Sequence, residues 1–262
     1  MDIKEFTSYS NEGSTCQENG ISNKDIAVLA IGTGAITATK KASMNEVLQK
    51  HVSFFRCDNE PLGCGSNETI GRQKAEECLQ KETILDNYLF HKAIVISTLG
   101  GGTGTGGAPV FAKYLSDKGV EVTNIVTLPF CFEGKNRKHI SQAAINEMSN
   151  YAKTTIVINE DIYQTLLKDE AMTDYFDAID ASIENAIFLA IGVYPQKAPW
   201  YKRIFKIKSI KMHHFSFIGK NDVNNKITKL STILIRHIFF KILHIDCVNV
   251  CTDIVHRTVF FP

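Results

Sequence analysis

The feature that most constrains this chain is Gly100-Gly101-Gly102-Thr103-Gly104-Thr105-Gly106-Gly107. It follows the apolar run Ala93–Thr98 (AIVIST), which reads as a buried strand. It leads into Pro109–Asp117, a helix opened by proline and stopped by Gly119. Glycines in such a place let the backbone turn with positive φ and bring several N–H groups onto one anion. The next helix adds the partial positive charge of its N-terminus. Thr103 and Thr105 add hydroxyls without bulk. The loop is therefore expected to bind phosphate.

The surrounding pattern alternates. Strands are expected at Ile26–Ile31, Val52–Cys57, Ala93–Thr98, Glu121–Leu128 and Thr155–Ile158. Helices are expected at Ala42–Lys50, Thr69–Leu85, Pro109–Asp117, Lys138–Tyr151 and Asp161–Lys168. A last helix, N-capped by Thr173, carries Phe176, Ile179, Ile183, Ile187 and Ile191 on one stripe. Alternation of this kind predicts an α/β fold, a mostly parallel sheet with helices on both faces. Ligands of such sheets bind at the carboxyl ends of the strands, where these glycines lie.

Three phosphate loops compete. A P-loop needs Gly-Lys-Ser/Thr, and Gly106-Gly107-Ala108 has no lysine. The dinucleotide pattern Gly102-x-Gly104-x-x-Gly107 is present, but its ribose-binding acid belongs at the end of the next strand, which reads Thr127-Leu128-Pro129. A Rossmann-type dinucleotide-binding protein is the minor alternative.

The third loop is the Gly-Gly-Gly-Thr-Gly-Thr-Gly signature of the tubulin and FtsZ GTPases, which Gly100–Gly106 match at every position. Pro129–Arg137 (PFCFEGKNR) is similar to that family's Pro-Phe-x-Phe-Glu-Gly-x-x-Arg segment. Gly63-Cys64-Gly65-Ser66-Asn67 followed by Gly71–Ala75 resembles its Gly-Ala-Gly-Ala-Asn loop and helix start. The likeness runs from about Asp25 to Gly192.

The resemblance implies a Rossmann-like GTPase domain that binds GTP or GDP, with Mg2+ accompanying the nucleotide. It implies phosphate contacts at Gly32, Gly34, Gly63, Gly65, Asn67, Gly101, Gly102, Thr103, Gly104, Thr105 and Gly106. It places Glu133 and Arg137 at the ribose, and Asn159 and Asp180 at the guanine. A carboxylate suits guanine because it offers two acceptors to two adjacent donors. The implied role is in cytoplasmic cell-division filaments, by self-association or with an intact FtsZ-like relative.

The chain departs from that pattern. Its first loop reads Gly32-Thr33-Gly34-Ala35-Ile36-Thr37, with Ile36 where the family has glycine. The stretch from Asp58 to Gly63 is short by a strand and its loop. After Gly192 the sequence is Val193-Tyr194-Pro195-Gln196-Lys197, without the Asn-x-Asp-x-x-Asp loop that serves the next subunit's nucleotide. Catalytic residues are therefore unknown, and hydrolysis is expected to be impaired. A non-enzymatic module that joins or caps filaments is the alternative.

Charge divides the chain. Up to Tyr194 there are 17 Lys+Arg against 25 Asp+Glu, and beyond it 12 against 3. The expected division is a mobile tail at 1–24, a GTP-binding domain at 25–192, and a basic segment at 193–262 that is not an intact second domain. Lys202, Arg203, Lys206, Lys208 and Lys211, interleaved with Trp200, Tyr201, Phe205 and Phe215, are compatible with nucleic acid or an anionic membrane, or with a degenerate tail. His237, His244, Cys247, Cys251 and His256 fit no usual zinc spacing, and no metal site is expected. Seven cysteines without Cys-x-x-Cys read as reduced thiols. The first residues resemble neither a secretory signal nor a transit peptide, and Leu230–Leu243, broken by Arg236, His237 and Lys241, is no membrane span.

Overall fold

The computed structural model describes residues 1–5, 25–58, 63–81, 85, 89–166, 171–193 and 215–219. Five parallel strands form the centre of one sheet: β2 (Ile26–Ile31), β3 (Val52–Asp58), β4 (Lys92–Thr98), β5 (Glu121–Leu128) and β6 (Thr154–Asn159). Two short strands pair antiparallel at the edges, β1 (Asp2–Glu5) on β3 and β7 (Phe215–Gly219) on β6. The sheet order is β1-β3-β2-β4-β5-β6-β7. Strand order reverses between β2 and β4, so the crevice for a ligand opens beyond the ends of those two strands.

The helices are α1 (Thr33–Ser43), α2 (Glu46–His51), α3 (Glu68–Lys81), α4 (Gly102–Asp117), α5 (Lys135–Ser149), α6 (Glu160–Leu166) and α7 (Met172–Ile191), with a 3-10 turn at Cys131–Glu133. Alternate residues of each central strand face opposite ways and bury two separate cores. Val28, Ala30, Ile94, Ile96, Ile125 and Ile158 pack with Ala35, Ala38 and Ala42 of α1 and Ile179, Ile183 and Ile187 of α7. Ala27, Leu29, Ile31, Val95 and Val126 pack with Ala75 of α3, Phe111 and Leu115 of α4, and Ile145 and Met148 of α5. Each fully buried aliphatic side chain contributes about 1.5–3 kcal/mol. Burial on both faces explains why the strands read as unbroken apolar runs.

Several expectations change. Residues 33–43 form a helix, where a helix beginning only at Ala42 was expected. Three threonines, a glycine and an isoleucine make its propensity poor, and the burial of Ala35, Ala38 and Ala42 overrides it. Helix α4 starts at Gly102, not Pro109, so Pro109 sits inside it and forgoes one backbone bond. The cap of α7 is Ala171, not Thr173; Asp174 closes that end by accepting the Ala171 N–H at 3.1 Å. Phe176 leaves the apolar stripe and is 51% exposed.

The tail expected at 1–24 contributes β1, whose Ile3 is buried against the second core. The rest of that tail, 6–24, lies outside the described residues, as do 59–62 in the shortened stretch. Of the basic segment, only 193 and β7 are described. The candidate zinc ligands and the Lys/Arg–aromatic cluster, apart from Phe215, fall outside them.

Candidate functional site

Two helices begin side by side at the switch point. Gly32 follows β2 with φ 85° and caps α1; Gly101 follows β4 and caps α4. No side chain hydrogen-bonds to either end. The two ends nearly touch, since a Cβ on Gly32 would lie 3.1 Å from the Gly104 nitrogen. A helix leaves its first N–H groups without partners. Two such ends aimed at one crevice make an anion site with two positive poles.

The glycines of the loop divide by role. A Cβ on Gly101 would have nothing within 4 Å, so that side of the residue is open. A Cβ on Gly104 would meet the Thr98 carbonyl at 2.8 Å. On Gly102 it would meet the Asn67 backbone at 2.7 Å, on Gly71 the Gly102 carbonyl at 2.2 Å, and on Gly106 the Glu68 carbonyl at 1.9 Å. Gly71, Gly102 and Gly106 thus let α3 and α4 cross with backbones in contact. Gly34 instead makes room for a side chain, since a Cβ there would lie 2.2 Å from the Thr98 hydroxyl. Thr105 is buried, and its hydroxyl accepts the Gly100 N–H at 2.8 Å, which fixes the turn into α4.

The second loop folds over the first. Gly63, Gly65 and Ser66 all have positive φ, and Gly63 approaches the Thr103 hydroxyl. Asn67 caps α3, its Oδ1 accepting the N–H groups of Thr69 and Ile70 at 3.0 and 3.2 Å. Ile36 packs sideways against the core, and its N–H donates to the Gly32 carbonyl. The altered first loop therefore leaves the cap itself open.

The expected ribose pair stands beside these loops. Glu133 accepts the Phe130 N–H at 2.9 Å through one oxygen and binds Arg137 at 2.6 Å through the other. Arg137 also reaches Ser66 at 3.5 Å, and its Cβ lies against Gly100. Asn159 ends β6 and its Oδ1 accepts the Asp161 N–H. Phe130 stacks on Phe132 at 4.9 Å and meets Phe176 edge-on at 6.2 Å, which brings the start of α7 to this corner. Asp180 follows one turn after Phe176. Partial burial pushes its carboxyl up to about 6, the nearby Lys41 opposes this and Asp177 adds to it. Lys41 itself pairs with Asp177.

Sequence reasoning missed Glu160, the first residue of α6. It is buried, and burial, aided by Glu133 and Asp161, raises its carboxyl to about 7. Its only sequence signal is an extra acid beside Asp161. Thr33, which donates to Asp58 at 3.1 Å across the ends of α1 and β3, was also missed. Among the described residues no group of three or more His, Cys, Asp or Glu could hold a metal ion. None of the described helices is long and apolar enough to cross a membrane.

The GTPase-domain profile of the Tubulin/FtsZ family matches residues 13–167. The chain belongs to the Tubulin/FtsZ family. It is 33% identical over 170 residues to the cell division protein FtsZ of Rhizobium radiobacter, a match covering 64% of this chain and 28% of that protein. Its fold is shared with an empty FtsZ dimer of M. jannaschii (TM-score 0.56, 21% identity, covering 67% of this chain and 56% of the other). It is shared equally with GDP-bound CetZ1 from Haloferax volcanii (TM-score 0.56, 20% identity, covering 70% and 63%). The chain thus spans little more than a quarter of that curated relative's length. Family membership replaces the alternative of a Rossmann-type dinucleotide-binding protein.

Proposed function

We propose that the chain binds GTP and GDP at the crevice between β2 and β4. The carrying observation is the pair of uncapped helix ends, α1 and α4, converging under the Gly63–Asn67 loop. The backbone N–H groups at Gly101–Gly104 hold the phosphates, and the loop at Gly63–Asn67 closes over them. Glu133 and Arg137 face the ribose. Asp180, with Asn159, recognises guanine, and the exposed faces of Phe132 and Phe176 lie beside it. When bound, GTP supplies the phosphoryl group whose transfer to water the family's chemistry uses. Mg2+ accompanying GTP would be held by the phosphate oxygens, since no cluster of three or more His, Cys, Asp or Glu among the described residues could hold it.

Hydrolysis in this scheme needs a positioned water, and positioning supplies much of the rate. The residues following α7 from Val193 to Lys197 hold no carboxylate to position it. Assembly with an intact relative, whose own acidic loop enters this site, therefore restores turnover that the chain alone lacks. The second reading, a cytoplasmic module that joins or caps filaments without turning over nucleotide, is favoured by the same missing carboxylates.

Titration with GTP, GDP, ATP and NAD tests the first claim. Guanine nucleotides should bind in preference; equal affinity for ATP and GTP refutes it. Phosphate release against protein concentration, with and without a full-length FtsZ, separates the two readings. Release that stays negligible with the partner supports the capping module. Release by the chain alone that climbs with concentration refutes both.

A further inference from the structure

The corner where segment 129–134 meets the start of α6 holds three carboxyls and two paired cations. Glu133 binds Arg137, and Asp161 lies 3.7 Å from Lys138. Both carboxylates also grip the backbone of the segment: Glu133 accepts the Phe130 N–H, and Asp161 accepts the Cys131 N–H at 2.6 Å. The third carboxyl, Glu160, is 8% exposed and forms no ion pair among the described residues. Around it stand the Thr127 hydroxyl at the end of β5, Glu133 of the 3-10 turn, and Asp161 and Tyr163 of its own helix. Tyr163 is tied to α7 through Ser182 at 2.6 Å.

A buried carboxylate without a cation is costly, and two like charges beside it raise that cost. The proton is the cheapest way to remove it. We propose that Glu160 is a proton-dependent positioning residue: neutral, it lets Glu133 and Asp161 hold segment 129–134 in place; ionised, it repels both and loosens the segment that carries Glu133 to the nucleotide. The proton is exchanged with solvent, so nucleotide binding above neutrality takes one up. The burial-driven rise of Glu160 to about 7 puts the change in the physiological range. The link to nucleotide rests on the function proposed above; the link to the segment does not.

The test therefore begins without nucleotide. Hydrogen exchange at the Phe130 and Cys131 amides, corrected for intrinsic rate, is compared at pH 6 and pH 8 in the full chain and in Glu160→Gln. At pH 8 about ten ionised Glu160 groups exist for each neutral one. Protection in the starting protein should fall by up to about tenfold, and stay level in Glu160→Gln. The same pH dependence in both overturns the proposal. GDP affinity is then measured from pH 5.5 to 8.5. An alkaline decline present in the starting protein and absent in Glu160→Gln supports the positioning role, whereas affinity flat above pH 7 in both refutes it. No GDP binding at any pH sinks the nucleotide site and the positioning role toward it, and the exchange data alone then decide the hold on the segment.

Discussion

Replacing Gly106 by Ala should damage the fold, and replacing Gly101 by Ala should damage only binding, although both belong to one glycine motif. At Gly106 the added Cβ would sit 1.9 Å from the Glu68 carbonyl oxygen, 2.8 Å from its carbon and 2.7 Å from the Arg72 nitrogen. Carbon needs about 3.5 Å of separation, and all three neighbours are backbone, which cannot rotate aside. Helices α3 and α4 must part by more than about 1.5 Å at the point of closest approach. Overpacking of this kind costs about 1–3 kcal/mol, and immovable neighbours put it at the upper end. Alanine returns about 1 kcal/mol through its better helix propensity. The net loss is about 2 kcal/mol, or a fall in Tm of roughly 4–8 °C for a domain of this size. At Gly101, φ is −91° and nothing lies within 4 Å of the new Cβ. Its stability should change by less than about 0.5 kcal/mol, while a methyl group at the mouth of the crevice weakens GDP binding by about tenfold, or 1.4 kcal/mol. Thermal unfolding and GDP titration of both variants give the answer. A Gly106→Ala chain as stable as its parent refutes the close crossing of α3 and α4. A Gly101→Ala chain that keeps full affinity refutes the placing of phosphate at that helix end.

Asp180→Ala should cost GTP binding about 1–3 kcal/mol through unmade hydrogen bonds to the base; in the unaltered chain the preference for GTP over ATP, read by competition, should fade below about pH 6 as Asp180 takes up a proton. Glu160 gives a stability prediction of definite sign. Its folded value of about 7 stands above the ordinary 4.5, so the folded state holds the extra proton, and stability falls as pH rises from about 4.5 to 7. The loss approaches about 3 kcal/mol, so Glu160→Gln should be more stable than the parent in urea at pH 8 and not at pH 4. Ending the chain at Val193 removes β7 and leaves the β6 edge unpaired; light scattering should then show increased self-association, and a monodisperse truncated chain would count against β7 as an edge cover.

The five central strands were legible because each is a short β-branched or apolar run buried on both faces, as Ile26–Ile31 and Ala93–Thr98 show. Their limits moved by a residue at most. The glycine motif was legible too, since seven matching positions leave little freedom in what family they belong to. Hidden from the sequence were the elements whose formation depends on a neighbour. Helix α4 begins inside the glycines only because α3 lies against Gly102 and Gly106, and glycine's own propensity argues the other way. Helix α1 exists through the burial of three alanines, and β1 through four residues that find β3 from the far side of a long connection. Phe176 fits a stripe at helical spacing, yet it turns outward to meet Phe130, a residue more than forty positions earlier.

The chain's own order of residues thus determined the parallel sheet, the family and the place of the crevice, because these follow from local patterns of apolar and glycine residues. The tertiary structure alone decided which glycines face the crevice and which make room for a crossing helix. It also decided which carboxyls keep a proton. Asp180 and Glu160 are ordinary acids in the sequence; their titration is set by burial and by Lys41, Asp177, Glu133 and Asp161. Those neighbours are assembled from four separate elements, and electrostatic interaction depends on distance in space and on the surrounding dielectric, neither of which is written along the chain.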